Sequence, residues 1–428
     1  MAELALMSVD GRPAVARKAL QELSAQLGEN KSGRNWRLQA LQDYANVALP
    51  DRVQHLWRYT DPTHLLPNGP LPAAMPSSDA FDGALPADGP AALLWPGQAP
   101  VLNDLARAAG VKVTPLLHDD GEAELLGSAA PADAGFFHAL NAVAWNTGAA
   151  VYVPAGTVLA QPLRLLVPAL AATTLPRLLV VAGRGAEATV VEEHFGGGAD
   201  RRVIGVTELL LGENAHLRHV LVQRWTSGVH GFLAVQARLE RNATYLGAIA
   251  SLGGDRLKLE TGADLAGPGA RSELIGVVLG GGRQRFDHHT RHRHLSGDTW
   301  SNIDFKAALT EKARSSYTGL IRIEEHAARS QAFQENRNLL LSDDARADTI
   351  PELEILTDDV SCSHGATAAP IDPEQIFYLQ SRGIPRREAV QLVLRGFLEP
   401  TLAQVPASVR DSLEALVADR LAGLGEDV

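Results

Sequence analysis

The sequence contains a single cysteine, Cys362, among 428 residues. One thiol cannot form an intramolecular disulfide, so the composition does not indicate an oxidising compartment. The N-terminus shows no basic stretch followed by an apolar segment, so we expect no signal peptide and a cytoplasmic protein.

The chain also lacks an excess of positive charge and a long apolar run. It has 39 basic and 50 acidic residues, a formal net charge of −11, which argues against nucleic-acid binding. Its most apolar long window, 163–183, contains Pro168 and Pro176, so two strands and a turn fit better than a membrane span. There is no P-loop or Gly-x-Ser-x-Gly motif, so intrinsic nucleotide hydrolysis and serine-nucleophile chemistry have no support.

Both ends of the chain have helical periodicity. In 13–60, apolar residues recur at helical spacing, and 61–100 is rich in Pro, Ala, Gly and Asp, as in a loosely ordered connector. After residue 370, Pro373 stands where the first turn of a helix accepts proline, and two further amphipathic stretches follow. We therefore predict an N-terminal helical region with its connector (1–147), a β core (148–369) and a C-terminal helical domain (370–428).

The central region contains an internal repeat. Four turns end in Gly or Asn followed by Ala, and the alanines lie 29, 28 and 27 residues apart, at Ala186, Ala215, Ala243 and Ala270. Gly and Asn tolerate the positive φ that such turns need. Ala313 and Ala345 end what look like degenerate copies. A period of this length predicts stacked coils, because no single coil can bury its apolar face alone.

Cys362 and His364 form a Cys-x-His pair. In an extended segment they share one face, about 7 Å apart, so both can reach one soft metal or one cluster. Two ligands do not complete a tetrahedral site, so the others would come from elsewhere in the fold or from a partner chain. The alternative is that both are ordinary core residues.

A second cluster lies at 287–294. On a strand, His288, His292 and His294 would share one face, as in a mononuclear metal site. They alternate with arginines and threonine, so a solvated strand is the alternative interpretation, with Asp287 and His289 as structural hydrogen-bonding groups.

Several motifs occur in an order that resembles the SufB/SufD family of iron–sulfur cluster assembly proteins. The similarity extends from about 57 to 400 and is carried by Trp57-Arg58-Tyr59-Thr60-Asp61, Asp287-x-His289-Thr290, Gln334-x-Asn336-x-Asn338, Pro351-Glu352-Leu353-Glu354-Ile355, Cys362-Ser363-His364-Gly365-Ala366-Thr367 and Phe377-Tyr378-Leu379-x-Ser381-Arg382-Gly383. The Pro-Glu-Leu-Glu-Ile and His-Gly-Ala-Thr segments favour the SufD branch.

The resemblance implies a mostly β fold, a right-handed parallel β-helix flanked by N-terminal and C-terminal helical regions. It implies a non-catalytic scaffold that pairs with SufB through the β-helix and with the ATPase SufC through its C-terminal helices. His364 and Cys362 would belong to a transient iron–sulfur cluster site at the SufB interface. Residues expected to contact SufC are Phe377, Tyr378, Arg382, Leu392 and Phe397.

The resemblance also associates a reduced flavin (FAD) with the full complex, without residues to hold it here. No cofactor is expected in the isolated chain, and an exposed solenoid face predicts a homodimer when SufB is absent. Two alternatives remain: a β-helix enzyme of the secreted type acting on polysaccharide, and a purely structural homodimeric β-helix protein.

Overall fold

The computed structural model describes residues 12–68, 71, 85–119 and 121–424. Its strands are β1 (Ala91–Leu93), β2 (Val101–Leu102), β3 (Lys112–Pro115), β4 (Thr147–Val153), β5 (Leu163–Pro168), β6 (Thr173–Thr174), β7 (Pro176–Ala182), β8 (Glu187–Gly196), β9 (Arg201–Leu211), β10 (His216–Trp225), β11 (Val229–Leu239), β12 (Thr244–Ser251), β13 (Arg256–Leu265), β14 (Arg271–Gly280), β15 (Arg285–His294), β16 (Trp300–Leu309), β17 (Arg314–Ile323), β18 (Ser330–Leu340), β19 (Arg346–Ile355) and β20 (Val360–Pro370). Its helices are α1 (Arg17–Gln26), α2 (Lys31–Asn46), α3 (Asp104–Ala108), α4 (Glu122–Leu125), α5 (Phe136–Ala144), α6 (Pro373–Ser381), α7 (Arg386–Leu402) and α8 (Ala407–Leu424).

The strands stack into two sheets that face each other across a shared core. Sheet A has the order β2-β1-β5-β8-β10-β12-β14-β16-β18-β20, and sheet B the order β19-β17-β15-β13-β11-β9-β7-β4-β3, with β6 beside β9. From β8 onward, consecutive strands alternate between the sheets and every neighbouring pair is parallel. This is the predicted parallel β-helix, a solenoid of about eight turns.

The repeated turn lies where the chain enters sheet A. The four alanines are all fully buried, and each follows a residue with positive φ: Gly185, Asn214, Asn242 and Gly269. The ladder then continues through Asp298 and Arg329, which also have positive φ, because Arg271 pairs with Trp300 and Trp300 with Gln331. The expectation for the later copies was therefore wrong. Ala313 and Ala345 precede β17 and β19, at the opposite corner where the chain enters sheet B.

Both sheets have an apolar inner face, and helices cover an apolar part of each outer face. Helices α1, α2 and α5 pack on sheet B, with Ile204, Val206 and Phe232 in the contact. Helices α6, α7 and α8 pack on sheet A, where Val220, Ile275 and other outward side chains meet Leu394 and Leu398. A strand covered on both faces is typically a near-continuous apolar run, as in β7 and β14.

The N-terminal region contains more than helices. Its segment Ala91–Leu93 pairs in parallel with β5, and β2 and β3 add antiparallel strands to β1 and β4. Part of the expected connector, 72–84, lies outside the described residues.

At the boundary between the β core and the C-terminal helices, β20 ends at Pro370 and α6 begins at Pro373. Within the part of the chain that the structure describes, no helix is both long and apolar enough to cross a bilayer.

Candidate functional site

The Cys362–His364 segment lies on β20, the last strand of sheet A. β20 pairs with β18 alone, and β19, the last strand of sheet B, pairs with β17 alone, counting only the described residues. Thr367 O accepts a hydrogen bond from Asn338 Nδ2, and Ile371 N donates to Leu340 O. Because backbone groups alternate in direction along a strand, the N–H and C=O groups of the odd-numbered residues of β20 point towards β18. The even-numbered ones, Cys362 and His364 among them, present N–H and C=O groups to the free edge.

Register places both side chains on the inner side of the solenoid. Cys362 is paired with Ala332 and His364 with Gln334. Ala332 is fully buried, and Gln334 Nε2 donates a 3.2 Å hydrogen bond to Gly319 O in the opposite sheet. The inner side of β20 therefore continues the interior of the solenoid, at the level where the stack of coils ends.

The two side chains differ in exposure. Cys362 is half-buried and packs against the central core, whereas His364 is exposed because no further described coil covers it. Burial raises the pKa of the Cys362 thiol above its ordinary value, and a backbone hydrogen bond from Ala332 partly offsets this. The thiol is therefore protonated at neutral pH in the isolated chain, and a ligand role would require an environment that ionises it.

Apolar side chains are exposed beside this end. Ile355, the last residue of β19, and the following Leu356 are 37% and 41% exposed. Exposed apolar groups next to unpaired strand edges are typical of a surface that a second chain covers.

Cys362 and His364 supply only two of the roughly four ligands that a closed metal site uses. Among the described residues, no group of three or more His, Cys, Asp or Glu is arranged to hold a metal ion.

The histidines of β15 are not on a solvated strand. His288, His292 and His294 are buried inside the solenoid, and Ser251, Ser272 and Ser301 hydrogen-bond to their Nε2 atoms at 2.8–2.9 Å. Burial lowers the pKa of His288 and His294 to about 4 and that of His292 to about 3. They are neutral hydrogen-bonding groups of the core, so the expectation of a solvated strand was wrong.

The structural role expected for Asp287 and His289 is confirmed. On the outer face of sheet B, Asp287 Oδ2 accepts a 2.6 Å hydrogen bond from Thr60 Oγ1 and lies 3.2 Å from Lys258 Nζ. Lys258 is fully buried, contacts the His289 ring and lies 4.5 Å from the centre of the Trp57 ring. Sequence reasoning missed Lys258, although this contact explains why the Trp57 and Asp287 motifs, distant in the chain, occur together.

The residues expected on the C-terminal docking surface fall into two groups. Phe377 and Tyr378 on α6 and Leu392 on α7 are exposed, at 73%, 57% and 47%, and Arg382 stacks over the Tyr378 ring. Phe397 packs against sheet A instead. Lys306 Nζ lies over its ring and donates a 2.9 Å hydrogen bond to its carbonyl oxygen. Phe397 thus anchors α7 to the solenoid, and the docking assignment stays a prediction.

Comparison with known proteins gives one consistent result. The family model described as "SUF system FeS cluster assembly, SufBD core domain" matches residues 167–397. The Escherichia coli iron–sulfur cluster assembly protein SufD is 30% identical over 400 residues, covering 91% of this chain and 91% of that protein. A Mycobacterium tuberculosis SufBD family protein is 32% identical over 65% of this chain and 72% of its own length. Bacillus subtilis SufB is 27% identical over 67% of this chain and 63% of its own length.

Proposed function

Because the chain belongs to the SufB/SufD family of iron–sulfur cluster assembly proteins and is SufD-like, we propose that it is a non-catalytic scaffold subunit. It pairs with a SufB-like protein through the end of its solenoid and with a SufC-like ATPase through its C-terminal helices. The observation that carries the proposal is the free edge of β20, which holds Cys362 and the exposed His364.

The free edge supplies a pairing mode. An extended strand of a second solenoid can add to β20 or β19 through backbone hydrogen bonds, and the exposed Ile355 and Leu356 add apolar contact. Such an interface needs no rearrangement of the coils already stacked. Without the SufB-like partner, the same edge fits a second copy of this chain, which accounts for the expected homodimer.

The chemistry of the site fits a shared cluster. Imidazole and thiolate are suitable ligands for iron in a sulfide-containing cluster, which is the cargo of the assembly and not a resident cofactor. His364 is the nearer to solvent of the two groups, so it is the one that a partner's cysteine could approach. Cys362 has the lesser role, since burial keeps its thiol protonated. The reduced flavin expected in the full complex has no assigned residues in this chain.

The C-terminal helices supply the second interface. Phe377, Tyr378 and Leu392 are large apolar side chains left exposed on a domain whose opposite face is packed on sheet A. Aromatic side chains with a neighbouring arginine, here Arg382, are the residues that most often dominate protein–protein binding energy. The comparisons give no support to a polysaccharide-active enzyme, since the relatives named above are cluster-assembly proteins.

Substitution of His364 tests the site. The variant His364→Ala, reconstituted with the SufB-like and SufC-like proteins, should form the complex but assemble clusters at least about tenfold more slowly, as expected when a metal-site group is removed. Complex formation is measured by gel filtration and cluster formation by absorbance and iron content. His216→Ala is the matched control, because His216 is also exposed at a strand of sheet A but lies far from β20 in the strand order. Unchanged assembly by His364→Ala would show that the site is wrongly assigned.

Point substitutions on α6 test the docking surface. Removing the whole domain would uncover the outer face of sheet A, so loss of binding by a truncated chain would be ambiguous. Phe377→Ser with Tyr378→Ser should weaken binding of the SufC-like ATPase about tenfold or more while pairing with the SufB-like protein is retained. Val53→Ser, at an exposed apolar position in the N-terminal region, is the control and should change neither affinity. ATPase affinity unaltered by the double substitution would exclude this docking surface.

A further inference from the structure

Four arginines form a column on the outer face of sheet B. Arg256, Arg285, Arg314 and Arg346 are the first residues of β13, β15, β17 and β19, and each is the direct register partner of the next. The residues that follow Arg256 and Arg285 point into the solenoid core, so these arginines lie on the opposite, outer side. Neighbouring strands are about 4.8 Å apart, so the arginine column extends for about 14 Å along the solenoid.

None of the four forms an ion pair within residues 12–68, 71, 85–119 and 121–424. Arg346 Nη1 donates only to the carbonyl oxygens of Asp343 and Ala345. Several other arginines on the solenoid exterior differ, because each of them pairs with a carboxylate on a neighbouring coil. Such cross-coil pairs are Arg218–Glu187, Arg241–Glu213, Arg322–Glu354 and Arg329–Asp298.

The absence of counter-charges is unfavourable in the isolated chain. Like charges directly opposite each other in a sheet are destabilising. Arg285 shows the effect most clearly, because its Nη1 is buried without a hydrogen-bond partner. Burial, followed by the charges of Arg314, Arg256 and Arg283, lowers the pKa of Arg285 below its ordinary value. Within the described residues, the four guanidinium groups therefore lie beside one another without a directly paired carboxylate.

A cleft of about 640 Å³ adjoins one end of the column. Arg256, Arg283 and His230 line it, together with the glycine-rich turn at 281–282. Two carboxylates also line the cleft, where Asp255 accepts a hydrogen bond from Ser227 Oγ and Glu311 accepts one from the Gly282 amide, so the basic groups, with Arg420, outnumber the acidic ones. The Nδ1 atom of His230 is buried and has no hydrogen-bond partner. The size of the cleft suits a small molecule rather than a protein segment.

We propose that the arginine column and this cleft form a binding site for a small anion that carries two or more linked phosphate groups. Guanidinium groups bind phosphate oxygens in bidentate geometry, and several in a row match an anion with several charges. Inorganic polyphosphates and nucleoside di- or triphosphates share this chemistry. The proposal does not depend on the cluster-assembly function.

Direct binding measurements on the full chain test the site. Tripolyphosphate, ATP and orthophosphate are titrated separately by calorimetry in low-salt buffer. Tripolyphosphate should bind saturably and more tightly than orthophosphate. ATP binding at least about tenfold tighter than tripolyphosphate, equivalent to about 1.4 kcal/mol, would identify a nucleotide as the ligand class, and equal affinities an inorganic anion.

A charge-matched pair of variants provides the control. Arg256→Gln with Arg285→Gln should weaken tripolyphosphate binding about tenfold or more. Arg218→Gln with Arg241→Gln removes the same charge from arginines that have carboxylate partners and should leave binding within about twofold. The column variant should also unfold, without anion, at a temperature no lower than the wild type, because repulsion is relieved. Absence of saturable binding by the wild type, or equal weakening in both variants, would overturn the proposal.

Discussion

The two ends of the solenoid are built differently. At the first end, β2 turns back antiparallel on β1 and β3 turns back antiparallel on β4, and the fully buried helix α5 packs over sheet B beside them. At the last end, β19 and β20 continue the parallel stacking, and within the described residues nothing pairs with their outer edges. The first end, the closed end, terminates in antiparallel strands of two and four residues, whereas the last end, the open end, terminates in parallel strands of ten and eleven residues.

The difference between the edge strands at the two ends indicates where a second chain can bind. Exposed edges of regular strands promote association, and proteins generally cover or interrupt them unless association is their function. Here the ladder ends in short antiparallel strands on one side, whereas within the described residues the long strands β19 and β20 stay unpaired at their outer edges. The open end is also where Cys362 and His364 lie, so the proposed pairing surface and the candidate cluster site coincide.

Charged groups are also distributed differently at the two ends. Near the closed end, Arg177 and Glu208 form a fully buried ion pair at 2.7 Å, and Arg177 also lies over the Trp36 ring. The carboxylate of Glu208 accepts further hydrogen bonds from the amides of Gly127, Ala129 and Ala130. This network ties the segment before α5 to β7 and β9. At the open end, by contrast, Arg322 and Glu354 form their ion pair in partly exposed positions.

Breaking the buried pair should have the largest effect on stability. Glu208→Gln leaves the buried Arg177 charge without its counter-charge, which typically destabilises a protein by about 3–5 kcal/mol. The free energy of unfolding, from denaturant titration followed by circular dichroism, measures the change. Glu354→Gln at the open end is the matched substitution and should cost less than about 1 kcal/mol, because its pair with Arg322 is solvent-screened. Similar losses in the two variants would mean that the closed end is not the more strongly constrained one.

The sequence predicted the solenoid because its signal is local and repeated. Gly or Asn before a buried alanine marks each entry into sheet A, and the helical stretches at both termini were recognisable from periodicity. The later copies differ from the prediction, because Ala313 and Ala345 follow similar polar residues but lie at the entry into sheet B. At the correct corner, Asp298 and Arg329 adopt positive φ, for which they are less typical residues than Gly or Asn.

The errors at the candidate sites arise from long-range packing. Alternation with arginines made β15 look solvated, but its outward arginines and inward histidines face different surroundings. The histidines meet Ser251, Ser272 and Ser301 of the opposite sheet. The contact between Phe397 and Lys306 was also not predictable, because the two residues are distant in the chain. That β20 is an edge strand could not be read from its residues, since this depends on which strands lie beside it.

A proline on the free edge should have the smallest effect on the isolated chain and still abolish pairing. Ala366 is even-numbered, so its N–H faces away from β18, and Ala366→Pro removes no internal ladder hydrogen bond. Proline is tolerated at such edge positions, so the free energy of unfolding should change by less than about 1 kcal/mol. Association with the SufB-like partner, measured by gel filtration or calorimetry, should be lost. A strand added at this edge would lose the backbone N–H of residue 366 as a hydrogen-bond donor and would clash with the proline ring.

Thr367→Pro is the adjacent control. The N–H of Thr367 faces β18, on the same side as its carbonyl oxygen, which accepts from Asn338. Proline there removes a ladder hydrogen bond and leaves an acceptor of β18 without its partner, which should destabilise the fold by about 1–3 kcal/mol. If Ala366→Pro destabilised the chain as much as Thr367→Pro, β20 would not be a free edge. If Ala366→Pro left partner binding intact, pairing would not use this edge. Only stability retained with pairing lost agrees with a solenoid closed by its own strands at one end and by a second protein at the other.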